Sequence, residues 1–284
     1  MRRALDPIDQ LLALDPGRRG IGCFFRPGAA RAAAHALRRA RRVLITTGFA
    51  LGPGMPETDG PPGAAVLGRA LRRLGARVRY VTDPVTVPPL EAALALLGET
   101  RAIEVFPDGD AEAAARGLLR RLAPTHVVAV ERPGRARDGT YRSARGEPVD
   151  GWNRPLDTLF LVGARARTIG VGDGGNEIGM GVVPRRRLAR AGIPARVAST
   201  VKTDHLVVAG VSNWGAYGIV AHLGLLARRD LLHGGEVERR LIRACVRAGA
   251  VDGITRRREP TVDGVPSDAH AGIVELMRAV RGPR

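Results

Sequence analysis

Short apolar, β-branched runs alternate with amphipathic stretches of Ala, Arg and Leu along most of this chain. Val43-Leu44-Ile45-Thr46-Thr47 reads as a buried strand stopped by Gly48, and Arg77–Thr82 as a strand ending at Asp83-Pro84. Residues 101–106, 125–131, 167–171 and 206–209 read as further strands, the fourth ending at Glu131. Helical periodicity covers 31–42, 64–74, 88–97, 110–122, 155–163, 213–227, 235–248 and 268–280. Strands and helices alternating at these lengths predict an α/β fold: a doubly wound, mostly parallel sheet with helices on both faces. Two polar segments interrupt the pattern. The loop 48–63 is rich in Gly and Pro and carries Glu57 and Asp59; the loop 132–153 has the length of a lid or binding loop. No repeat or linker divides the chain, so one α/β domain is expected over 1–284, with its core at about 17–280.

Composition changes this picture little. A hydrophobic content of 44% supports a sizeable core, and aromatics at 4% leave that core to Ala, Leu and Val. The formal net charge of +17 would ordinarily suggest nucleic acid or an anionic membrane. Yet the basic residues, such as Arg38, Arg39, Arg41, Arg42, Arg72 and Arg73, are scattered over predicted helices, and Lys202 is the only lysine. That is the product of GC-rich coding, and no aromatic stacking platform or nucleic-acid module accompanies it. Neither nucleic acid nor a membrane is expected as partner. Cys23 and Cys245 lie far apart outside any CxxC context, which excludes a zinc or disulfide framework and suits a cytoplasmic setting. Residues 1–14 contain Asp6 and Asp9 and lack the apolar centre of a signal peptide. No apolar run approaches the ~20 residues that span a bilayer.

Chemistry concentrates in Ile169-Gly170-Val171-Gly172-Asp173-Gly174-Gly175-Asn176-Glu177-Ile178-Gly179-Met180-Gly181. Its glycines allow backbone to turn sharply and approach a ligand, while Asp173, Asn176 and Glu177 present oxygen-rich ends. Gly170-x-Gly172-x-x-Gly175 matches a dinucleotide fingerprint, but Asp173 would repel a pyrophosphate and no Walker A loop exists, so no nucleotide cofactor is expected. In open parallel sheets ligands bind beyond the carboxyl ends of strands. Those ends carry Thr46-Thr47-Gly48, Asp83, Glu131 and Asp173, with Glu57 and Asp59 nearby: an acidic crevice in a basic protein. Such carboxylates suit Mg²⁺ or Mn²⁺, with Glu57, Asp59, Asp173, Glu177 and Asp263 as candidate ligands. The bland alternative has Asp173 and Glu177 capping a helix that starts near Asn176. Lys202, in Val201-Lys202-Thr203-Asp204-His205, is a candidate for work needing a compact ammonium; Asp204 and His205 could serve acid–base chemistry, and Asp263 and His270 are further candidates. Ser212 reads as an N-cap, with Asn213 free to face the site.

Thr47-Gly48-Phe49, Pro56–Gly63, Gly172–Gly181, Ala209–Gly215 and Val262-Asp263-Gly264, in this order, resemble the D-glutamate cyclase-like C-terminal family. The resemblance implies a doubly wound α/β domain with an acidic, metal-holding pocket, and conversion of D-glutamate to 5-oxo-D-proline with loss of water. Carried over, its matching positions are Glu57, Asp59, Asp173, Asn176, Glu177, Asn213 and Asp263. On this reading Asp173, Glu177, Lys202 and Asn213 are the catalytic candidates. Thr47, Gly48, Gly174, Gly175, Asn176, Ser212 and His205 are the candidates for binding a small polar metabolite. Animal members carry an additional N-terminal domain with no counterpart in this sequence, so a separate domain of that type joins a second copy of the chain as a candidate partner. A divalent-metal-dependent phosphatase, with an Arg of the 135–145 loop on the phosphate, and a non-catalytic amino-acid or metal-binding module remain open alternatives.

Overall fold

A computed structural model describes residues 6–163 and 165–280. The start of the segment read as no signal peptide, residues 1–5, and the last residues of the expected 1–284 unit lie outside the described residues. Six parallel strands form the central sheet: β1 (Arg42–Thr47), β2 (Arg77–Thr82), β3 (Ile103–Val105), β4 (His126–Val130), β5 (Arg167–Gly172) and β6 (His205–Val208). Their order is β3-β2-β1-β4-β5-β6. The chain therefore reverses its winding between β1 and β4, and a crevice must open there, outside the carboxyl ends of the strands.

Side-chain alternation along the strands explains the two layers. Val43 and Ile45 of β1, Val78 and Tyr80 of β2 and Val128 and Val130 of β4 face the larger core. It is completed by α1 (Pro7–Leu12), α2 (Ala29–Leu37), α3 (Pro61–Arg73), α4 (Val87–Leu96), α8 (Ser212–Ala227), α9 (Gly235–Arg247) and α10 (Ser267–Ala279). Leu44, Val81 and Val127 point to the other face, where α5 (Ala111–Leu122) and the short α6 (Thr158–Leu161) cover them. A parallel sheet buried on both faces needs continuous apolar runs, which the strand segments supply. The helix α8 is buried along nearly its whole length and is the hub of the larger layer. The expected doubly wound α/β class is therefore the observed one.

Several boundaries differ from those the pattern predicts. The helix expected over 31–42 ends at Leu37, and Arg42 already pairs with Arg77 in the sheet. A run of Ala and Arg carries no stop signal, so the turn is set by sheet pairing and not by local preference. The helix expected over 155–163 shrinks to Thr158–Leu161, because Asp157 is drawn into bonds with Arg135 and Tyr141 and Gly163 turns left-handed at φ 76°. Helices α1 and α7 (Arg185–Arg190), and the two-residue hairpin strands β7 (Thr261–Val262) and β8 (Val265–Pro266), are too short to show a period. The hairpin turn carries Asp263 at φ 55°. Among the described residues no helix is long and apolar enough to cross a membrane.

Candidate active site

The crevice at the switch point is lined by carboxylates. The ends of β4 and β5 place Glu131 and Asp173 there, the loop after β1 adds Glu57 and Asp59, and the hairpin turn adds Asp263. Oxygens of Asp59, Asp173 and Asp263 lie within 4.8 Å of one another, as do those of Glu131, Asp173 and Glu177. All six residues are buried. The sequence therefore folds to collect like charges, and specific contacts hold them there.

Helix N-termini supply the first contacts. Asp59 accepts from the backbone N–H groups of Ser212 (2.9 Å) and Asn213 (2.8 Å), capping α8 from across the sheet. Asn213 returns the favour: its Oδ1 accepts from Gly60 (3.0 Å) and Gly63 (2.7 Å) at the start of α3. Ser212 donates its backbone N–H to Asp173 (3.2 Å) and its hydroxyl to Glu131 (2.5 Å). The orphan donors of α8 thus turn on the carboxylates, while Asn213 takes up those at the start of α3. Gly60 is required at this junction: its φ is 100°, and a Cβ would sit 2.7 Å from Thr47 Oγ1.

The glycine-rich turn is organised by Glu177. Its carboxylate accepts from the N–H groups of Asp173 (3.2 Å), Gly174 (2.6 Å) and Gly175 (2.8 Å). A Cβ on Gly172 would lie 2.9 Å from that carboxylate. Glu177 therefore holds the loop that presents Asp173, while Asn176 Nδ2 donates to the Arg142 carbonyl and ties the loop to the 132–153 segment (2.8 Å).

Arg19 is the cation at the centre. It makes a two-point pair with Asp263, Nη2–Oδ1 at 2.6 Å and Nη1–Oδ2 at 3.1 Å, and an ion pair with Asp173 at 2.6 Å. Asp15 folds the loop that delivers it, accepting from the N–H groups of Arg19 (2.8 Å) and Gly20 (2.8 Å). One guanidinium does not balance six carboxylates. Burial pushes Glu57 well above the usual carboxylate range, reinforced by Asp263 and Asp59. Burial, with Asp173 and Glu177 beside it, does the same to Glu131. Asp173 is also raised by burial, although Arg19 opposes the shift. Asp59 is pushed by burial and Asp263 to about 7, held down by its two N–H donors. Glu57 Oε1 is buried with no hydrogen-bond partner. Hard oxygen donors with surplus negative charge and a free lone pair fit a divalent cation such as Mg²⁺ or Mn²⁺, or a substrate ammonium.

A roof narrows this site to a cavity of about 60 Å³, room for a few waters. It consists of the segments around Ser143–Arg145 and Gly253–Arg256. Arg145 donates to the Ile254 carbonyl (2.7 Å), and Arg256 pairs with Glu147. Among the six described non-glycine residues with positive φ are Glu131, Arg256 and Asp263, all lining the cavity, and Arg18 beside Arg19. Backbone strain is thus gathered around this crevice.

Some expected residues lie elsewhere. Lys202 is exposed and borders a separate cavity with Arg185 and Thr200. His205 opens β6 at the opposite edge of the sheet, and Asp204 there caps Thr168 of β5 at 2.8 Å. A parallel sheet sends the first and last residues of a strand to opposite ends, so β6 carries His205 away from Asp173. Asp83 is buried against Arg132 and accepts from the Arg154 N–H (2.8 Å). His270 accepts from Trp214 Nε1 (2.8 Å) behind the site. Thr47 lies buried under Gly60, and Gly48 turns at φ 101° against Thr86. Arg19 and Arg256 line the cavity without having been singled out, because nothing distinguishes them among 45 Lys and Arg; Arg145 belongs to the loop read as a phosphate grip.

Over 239 residues the chain is 37% identical to human mitochondrial D-glutamate cyclase, covering 77% of this chain and 38% of that protein. The chain thus spans well under half the length of that relative. The solved structure of an exopolyphosphatase-related protein from Bacteroides fragilis overlaps 90% of this chain and 57% of its own, at 9% identity and a TM-score of 0.45, a likeness that carries no argument. The family model described as D-glutamate cyclase-like, C-terminal, matches residues 8–278, nearly the whole chain, and the protein belongs to that family.

Proposed function

We propose that this chain is an enzyme that cyclises D-glutamate to 5-oxo-D-proline with loss of water, at the crevice between β1, β4 and β5. The observation that carries the reading is the buried carboxylate cluster around Arg19, in a chain 37% identical to a D-glutamate cyclase. Cyclisation needs a neutral α-amine, a γ-carboxyl made electrophilic, and a substrate held curled so that the two ends meet. Asp173, at the mouth of the glycine-rich turn, takes the ammonium proton as general base. Glu57, raised by burial and with a free Oε1, delivers one proton to the departing oxygen and Asp173 returns the one it took, so the oxygen leaves as water; the second proton on the ring nitrogen then passes to Glu57 and restores it. Arg19, Arg145 and Arg256 line the same cavity and offer cations to the substrate's carboxylates. Glu177 and Asn213 position the loop and the helix ends, their polar atoms being engaged by backbone N–H groups. Asp59 and Asp263, whose oxygens lie within 4.8 Å of each other, would hold Mg²⁺ or Mn²⁺, which when bound would supply Lewis-acid polarisation of the γ-carboxyl and leave Glu57 and Asp173 to their proton roles. The narrow cavity is too small for glutamate, so the roof must part further for the substrate to seat.

Of the loop expected to grip phosphate, Arg135 is held by Asp157 and Arg142 by Asp138, which leaves Arg145 as its one arginine lining the cavity and gives the phosphohydrolase reading little support. The decisive assay incubates the purified, folded protein with D-glutamate, with and without Mn²⁺, and follows 5-oxo-D-proline chromatographically. Product from D-glutamate is expected; its absence in both conditions would end the proposal.

A further inference from the structure

The opposite edge of the sheet carries a second cavity, of about 470 Å³, lined by Arg42, Arg77, Arg79 and Arg121 around Val43, Leu44, Leu122 and Pro124. Its origin lies in register. Arg42 of β1 is paired with Arg77 of β2, and Leu44 with Arg79, so the side chains of Arg42, Arg77 and Arg79 stand on one face. That is the face covered by α5, whose last turn adds Arg121. Like charges side by side on neighbouring strands destabilise a sheet unless something opposes them. Glu104 is the nearby acid, and Arg121 already holds it through both carboxylate oxygens. Arg42 is anchored through Nε to the Ala123 carbonyl (2.5 Å), which leaves its two terminal nitrogens available. The side chains of Arg77 and Arg79 have no hydrogen-bond or ion-pair partner among the described residues. No carboxylate lines the cavity.

We propose that this cavity is a binding site for an organic polyphosphate, a nucleoside triphosphate or a molecule of that chemistry. Arg42, Arg77 and Arg79 grip the phosphate chain, and the half-buried apolar surface of Leu122 and Pro124 takes the organic part. The volume lies within the range of small-molecule sites. Forked guanidiniums suit phosphate oxygens, which accept two parallel N–H bonds from each. An acidic crevice at one edge of the sheet and a cationic cavity at the other make the molecule electrostatically bipolar. The second site stands independently of the cyclase reading, because none of its residues touches the crevice.

Calorimetry with ATP and with inorganic tripolyphosphate, at ~0.1 M salt to suppress diffuse attraction, tests this on the whole protein and on the Arg77→Ser/Arg79→Ser double variant. Both residues are exposed, so the variant is expected to fold, and an unchanged melting temperature checks that it has. Saturable binding of one ATP, weakened about tenfold or more by the double substitution, is expected. Tighter binding of ATP than of tripolyphosphate assigns the apolar surface to the organic part; equal binding assigns the site to the phosphate chain alone, and both support an anion site. Absence of saturable binding, or binding that the double substitution leaves unchanged, overturns the proposal. Single-stranded oligonucleotide held more tightly than ATP and lost in the same variant would overturn it in favour of nucleic acid.

Discussion

Arg19 is the residue on which the crevice depends. Removing one member of a buried ion pair leaves its partners charged and uncompensated, at a cost of about 3–5 kcal/mol. Arg19→Ala leaves Asp263 in that position and removes the cation that opposes the upward shift of Asp173, so urea denaturation at neutral pH is expected to show a loss of that size. Mn²⁺ should restore more stability to this variant than to the parent, because it would replace the missing cation. A loss within ~0.5 kcal/mol, as for an ordinary surface change, would show that the pair is not structural. The carboxylates were legible in the sequence: Asp59, Asp173 and Asp263 sit beside glycines, and Glu57 on a Gly- and Pro-rich loop, where packing does not call for an acid. Arg19 was not, since its role is created by Asp15 folding a loop some 150 residues from Asp173 in the chain. Lys202 attracted notice through rarity, which is a fact about codons and not about position.

At the scale of elements, the site is a junction of helix ends. The start of α8 and the start of α3 are joined by Asn213, whose Oδ1 serves two N–H groups. Asn213→Ala should leave the Gly63 donor unsatisfied in a dry interior and weaken that of Gly60, costing about 2–3 kcal/mol. Loss of cyclisation is expected alongside, because Asp59 and Ser212 are held by the same junction. A stable variant with full activity would refute the clamp. In the roof, Glu147→Ala frees Arg256 and should raise amide exchange across 252–257 without altering exchange in β1 or β4. Unchanged exchange there would mean that the Ile254 carbonyl contact alone keeps the roof shut. Most strands and helices could be read from their apolar periods, because each is buried on one predictable side. The roof, the hairpin bearing Asp263 and the short α6 could not, as their shapes follow from contacts made after the sheet has formed.

Across the whole molecule, proton linkage joins the crevice to stability. Glu57, Asp59, Glu131 and Asp173 are all raised in the folded state, Asp59 to about 7. In the unfolded chain such groups lose their protons near pH ~4. Between those limits the folded state binds more protons than the unfolded one, so stability falls as pH rises. The stabilisation is complete below the unfolded value and is lost through about 7 for Asp59, and at higher pH for the groups raised further. The general repulsion of a +17 surface cannot imitate this window, because its arginines remain charged throughout. A divalent cation competes with those protons, and its benefit must therefore grow with pH. Scanning calorimetry of metal-free protein should show a melting temperature that declines from pH 5 to 8, and Mn²⁺ should raise it more at pH 8 than at pH 5. A melting temperature that climbs over this range, or a metal effect independent of pH, would mean that the carboxylates are ionised and paired without help, and that the crevice needs no cation beyond Arg19.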